Sequence, residues 1–145
     1  MKEAVHILLV EDNEGDVLLT REALMEGEAG ITLSVVEDGE AALKFVAKEF
    51  PYEFVDSPDL VLLDINLPRI NGIEVLDHLK KDFRFKHIPV VMLTTSSASR
   101  DIIESYEKQA NCYITKPVEF QKFIEAMRSF ETFWCSMVQL PPACP

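Results

Sequence analysis

Residues 59–76 read DLVLLDINLPRINGIEVL, and this stretch decides the fold. Leu60 to Leu63 form a continuous apolar run, the mark of a strand covered on both faces, and the run ends on an acid, Asp64. Asn71-Gly72 is a turn signal, after which Ile73, Leu76 and Leu79 recur at helical spacing. A covered strand followed by an amphipathic helix is the repeating piece of a domain built on a parallel sheet.

The same alternation continues on both sides. Apolar runs near 5–10, 31–36, 88–93 and 112–115 are separated by helical segments marked by Val17, Thr20 and Leu24, by Leu43, Val46, Ala47 and Phe50, and by Ile102, Ile103 and Tyr106. A last and most apolar helix carries Phe120, Phe123, Ile124, Met127 and Trp134, with Phe130 and Phe133 partly off that stripe. The pattern predicts an α/β domain with five parallel strands. Strands one, three and four are near-continuously apolar and belong inside; Ile31-Thr32-Leu33-Ser34-Val35 alternates and Cys112-Tyr113-Ile114 is short, so both belong at edges. The arrangement is the doubly wound order 2-1-3-4-5 of a flavodoxin-like sheet, which places any site at the carboxyl ends of strands one and three. Asp38-Gly39 and Asn71-Gly72 are expected to supply conformationally permissive residues ahead of helices, and Phe50 to Pro58 a longer loop.

Composition narrows the function. With 145 residues, 48% hydrophobic and only 5 Gly and 8 Pro, the chain reads as one soluble globular domain. Acids outnumber bases 25 to 14, and eleven of the acids against two bases fall in residues 1–40. Such a balance argues against nucleic acid or an anionic membrane as partner, because both require clustered Lys and Arg. The sequence offers neither a membrane span nor a basic, then apolar, leader, so a cytoplasmic location is expected. Cys112, Cys135 and Cys144 have no metal-binding spacing and are read as reduced thiols.

Glu11-Asp12 ends strand one and Asp64 ends strand three, so the topology brings three carboxylates to one crevice. Oxygen donors without nearby His or Cys favour Mg²⁺, or Mn²⁺, over Zn²⁺. Strand four ends in Thr94-Thr95-Ser96 and strand five in Thr115-Lys116-Pro117. A carboxylate nucleophile, a divalent metal, a hydroxyl and an ammonium are the parts that phosphoryl transfer uses.

With ILLVEDN at 7–13, PVVMLTTS at 89–96 and YITKP at 113–117 beside the stretch quoted first, the chain resembles the receiver domain of two-component response regulators over roughly residues 4–135. The resemblance implies that Asp64 is the phosphoacceptor, that Glu11, Asp12, Asp64 and the main-chain carbonyl of Asn66 hold the metal, and that Thr94 and Lys116 contact the phosphoryl oxygens. Thr95 stands where the family usually has a smaller residue, so its bulk is expected to limit access to Asp64. Tyr113 resembles the aromatic that moves with Thr94 in the switch, and the Lys116-Pro117 bond is cis in the family. Residues 1–135 are then a receiver and 136–145 an apolar extension with no separate effector domain, so output is by protein contact or phosphorelay.

The tail from Phe133 to Pro142 also resembles that of small regulators that partner bacterial phytochrome-type histidine kinases and form homodimers. That likeness implies a sensor histidine kinase as donor and a homodimer surface on helix four, strand five, helix five and the tail, with Tyr113, Phe130, Phe133, Trp134 and Met137. A tail folded back on its own domain is the other reading. Three further functions compete. A metal-dependent phosphohydrolase using Asp64 as nucleophile needs a second acid where Asn66 stands. An FMN binder is opposed by the acidic loop Glu11 to Gly15, and an unphosphorylated scaffold by the complete set Glu11, Asp12, Asp64, Thr94 and Lys116.

Overall fold

The computed structural model describes residues 4–25 and 30–142; Cys144 and the last residues of the extension lie outside them. Strands β1 (Val5–Val10), β2 (Ile31–Val36), β3 (Leu60–Leu63), β4 (Val90–Thr94) and β5 (Cys112–Thr115) form one parallel sheet in the order β2-β1-β3-β4-β5. Helices α1 (Glu14–Met25), α2 (Gly39–Ala47), α3 (Gly72–Lys81), α4 (Ser99–Glu107) and α5 (Phe120–Glu131) connect and cover them.

Alternate strand residues face opposite sides, which is why the interior strands must be apolar throughout. Leu8, Val10, Val61, Leu63, Val90 and Met92 pack with Phe45, Val46, Leu76 and Leu79 of α2 and α3. Ile7, Leu9, Leu60, Leu62, Val91 and Leu93 pack with Leu24 of α1 and with Phe123, Ile124 and Met127 of α5. The register pairs Val10 with Leu63, and the Asp64 amide donates to the Val10 carbonyl at 3.1 Å. Glu11 and Asp64 therefore leave the sheet side by side.

Several expectations need correction. Neither Gly39 nor Gly72 has a positive φ; Asp38 and Asn71 cap α2 and α3 with their side chains, and the glycines are there for space. A Cβ on Gly39 would lie 2.1 Å from the Ile70 carbonyl oxygen, and one on Gly72 would lie 1.9 Å from that of Asp64. Phe50 lies outside α2 and is exposed, because Lys48, at φ 57°, turns the chain out of the helix; the buried aromatic is Phe45. In α4 the apolar Ile103 and Tyr106 face solvent while Ser105 is buried, since this helix packs mainly against β5 and α3. The cis peptide bond among the described residues is Phe50–Pro51, so Lys116–Pro117 has the trans form that X-Pro bonds ordinarily favour.

The C-terminal segment also departs from a simple stripe. After α5 the chain widens into a π-helical turn, Thr132–Met137, that buries Cys135 and sets Phe133 edge-on against Trp134 at 5.3 Å. Phe130 is 3% exposed and belongs to the core, so it is removed from the partner surface; Phe133 and Met137 are exposed and Trp134 is half-buried. Leu140 packs on the core layer of α1 and α5. Pro141 and Pro142 line a crevice with Pro58, Phe85 and Ile88 near the amino ends of β3 and β4, so this part of the tail does fold back on its own domain. Among the described residues no helix is long and apolar enough to cross a membrane.

Candidate functional site

The crevice is assembled from the carboxyl ends of four strands. Glu11, 2% exposed, and Asp64, 7% exposed, follow β1 and β3, and exposed Asp12 adds a third carboxylate. Oxygens of these three residues lie within 4.8 Å of one another. The Ile65 amide donates to Asp64 Oδ1 at 2.7 Å and fixes the carboxylate plane, and the Asn13 amide donates to Glu11 Oε1 at 3.1 Å.

Lys116 comes from the end of β5, where its amide donates to the Thr94 carbonyl at 2.7 Å. Its buried ammonium donates to Glu11 Oε2, to Asp16 Oδ2 at 3.0 Å and to Asp64 Oδ2 at 3.4 Å. Asp16 was missed by sequence reasoning, which treats a first-turn acid as solvated helix surface. The available signal was topological: α1 starts directly above the end of β1, so an acid in its first turn can face the crevice.

Burial pushes the Glu11 carboxyl up to about 7, a rise opposed by its bond to Lys116 and reinforced by the Asp64 charge. Burial would lower the Lys116 ammonium, yet the bond to Glu11, the Asp64 charge and the bond to Asp16 outweigh it and raise the group above its ordinary value. One ammonium thus fails to neutralise the acids around it. An oxygen-only donor set with excess negative charge fits Mg²⁺ or Mn²⁺.

A pH dependence follows from Glu11. In the metal-free folded chain this carboxyl keeps its proton up to about 7, whereas unfolded it loses it near 4.5, so its contribution to stability is full below about 4.5 and is lost as pH rises through about 7. Metal binding requires the ionised form, so Mg²⁺ affinity is expected to climb by up to ~10-fold per pH unit across that window. Calorimetric titrations at several pH values check this, and an affinity flat with pH would contradict it.

The hydroxyl side of the crevice is a short chain of hydrogen bonds. Thr94 is fully buried and its Oγ1 accepts from the Ser96 amide at 3.3 Å, while Thr95 is exposed. The Ser96 hydroxyl donates to Asp101 Oδ2 at 2.5 Å in the first turn of α4, and the Tyr113 hydroxyl donates to the Ser96 carbonyl at 2.8 Å. Ser96 and Asp101 carried no sequence signal of their own; they join Thr94 and Tyr113 to α4. On the far side, the Gly72 amide donates to the Ile65 carbonyl at 2.8 Å and draws the start of α3 against Asp64, with Asn66 exposed in the intervening loop.

A family model described as the response regulator receiver domain matches residues 7–128. The chain belongs to that family. This receiver is 42% identical over 137 residues to response regulator Rcp1 of Synechocystis sp., covering 94% of this chain and 93% of that protein. The crystal structure of the phosphorylated cyanobacterial phytochrome response regulator RcpA superposes on it with a TM-score of 0.93 at 40% identity, covering 97% of this chain and all of the other. The Mn²⁺-bound form of Rcp1 gives 0.92 at 40% identity, covering 95% and 99% of the two chains.

Proposed function

We propose that this receiver accepts a phosphoryl group from a sensor histidine kinase onto Asp64 and reports it by protein contact or phosphorelay. The observation that carries the reading is the position of Asp64, a buried carboxylate fixed by the Ile65 amide, with oxygens of Glu11 and Asp12 within 4.8 Å and the Lys116 ammonium at 3.4 Å. A carboxylate oxygen of Asp64 forms the new O–P bond while the P–N bond of the phosphohistidine breaks and the imidazole nitrogen keeps the electron pair. Glu11, Asp12, Asp64 and the Asn66 carbonyl would hold Mg²⁺ or Mn²⁺, which when bound would supply positive charge to offset repulsion between the carboxylate and phosphoryl oxygens.

Lys116 contributes a compact charge to the phosphoryl oxygens and Thr94 a hydroxyl donor. Drawing Thr94 toward the phosphoryl group would release its contact with the Ser96 amide, and Tyr113, bonded to the Ser96 carbonyl, would move with that loop. The phosphohydrolase reading has no support: position 66 is Asn, and the chain's relatives are response regulators.

Incubation with Mg²⁺ and acetyl phosphate is expected to add one phosphoryl group by intact mass, and chelating the metal to prevent it; no adduct would overturn the reading. Thr95→Ala is expected to speed loss of the phosphoryl group roughly threefold, less than ~1 kcal/mol in the barrier. An unchanged decay rate would remove Thr95 from the site.

The donor is of the phytochrome type by likeness to RcpA. The receiver forms a homodimer through α4, β5, α5 and the π turn, elements that carry the exposed apolar groups Tyr106, Phe133 and Met137. Residues 1–135 act as the receiver, with 136–145 as an apolar extension, in the cytoplasm.

A further inference from the structure

We propose that Asp16 is a positioning residue that competes with the phosphoryl group for Lys116 and so restrains phosphorylation. The inference rests on Asp64 being the phosphoacceptor, as argued above. Asp16 lies in the first turn of α1, where its amide is capped by Asn13 Oδ1 at 2.9 Å. An acid there needs no distant partner, because the helix N-terminus already favours its charge. Its carboxylate nevertheless reaches an ammonium 100 residues away, and at 3.0 Å it is closer to Nζ than Asp64 is at 3.4 Å.

The donor count makes this a competition. A lysine ammonium has three N–H groups, and here carboxylates of Glu11, Asp16 and Asp64 take them. Glu11 and Asp64 belong to the oxygen cluster suited to a metal, and Asp16 does not. With a metal drawing on Glu11 and Asp64, Asp16 would be the carboxylate whose charge is left entirely to the lysine. It is also the one that lets go most cheaply: its side chain is 29% exposed against 2% for Glu11, so water can take over its charge. Asp16 holds the resting lysine at the α1 wall and yields it when a phosphoryl oxygen arrives.

Asp16→Asn keeps the shape and removes the charge. With acetyl phosphate at saturating Mg²⁺, where the Asp64 O–P bond forms as the donor's P–O bond breaks and acetate leaves with the pair, the variant is expected to be phosphorylated about fivefold faster. Asp16→Glu should stay within about twofold of the wild type. A rate gain separates this role from a structural one, whose loss would slow the reaction, and the state of the ammonium separates it from the general field of the charge. Spectra of ¹⁵N-labelled lysine should show the Lys116 ammonium resonance displaced in the unphosphorylated Asn variant. A rate equal to or below that of the wild type overturns the proposal, as does a gain with an unmoved ammonium, which would assign it to the general field. Should Asp16→Asn fail to fold, Asp16→Ala carries the same two readouts. If the wild type itself takes up no phosphoryl group, the phosphoacceptor reading has failed instead.

Discussion

Replacing Asp64 by asparagine is expected to abolish phosphoryl uptake, by at least ~10³-fold, while leaving the fold intact. The amide has nearly the volume of the carboxylate and keeps an oxygen for the Ile65 amide. It removes the nucleophile, because an amide oxygen does not form a stable O–P bond with displacement of imidazole or acetate. Stability should change little, since the lost attraction to Lys116 is offset by relief of the repulsion that pushes Glu11 upward. The check pairs intact mass after exposure to acetyl phosphate and Mg²⁺ with a thermal melt. A phosphoryl adduct on the variant would move the acceptor to another residue.

Gly72→Ala is expected to be the most damaging single-methyl change in the crevice. The added Cβ would meet the Asp64 carbonyl oxygen at 1.9 Å and the Asp64 carbonyl carbon and Ile65 Cα at 2.8 Å, all of them backbone at the end of β3. No flexible side chain is available to give way, so either α3 or the Asp64 backbone must move, at a cost of about 2–4 kcal/mol. A fall in Tm of roughly 8–15 °C is expected. Phosphorylation should slow as well, since the backbone that moves is the one that aims Asp64. A variant with the wild-type Tm would show that this close approach is not needed.

Much of this site was legible because two sequence signals coincide in it. Strands covered on both faces must be apolar throughout, so β1, β3 and β4 announce themselves, and the acids at the ends of β1 and β3 stand out against that background. Once the strand order is known, Glu11, Asp12 and Asp64 must converge. Asp16 was hidden because helix surfaces are full of acids and only the approach of a lysine from β5 makes this one different. Gly72 was read as a matter of φ when its role is room for the Asp64 carbonyl, a contact that periodicity cannot express. Ile103 and Tyr106 looked like an inward stripe; spacing identifies one face of α4, and which face is covered depends on neighbours at the sheet edge.

The π turn after α5 holds the chain's single tryptophan, Trp134, half-buried and edge-on to Phe133. Its emission is therefore a built-in optical gauge of the α5 junction, free of interference from any other indole. Docking and release of the C-terminal segment can be followed in the unlabelled protein, while the chemistry at Asp64 is followed separately by mass.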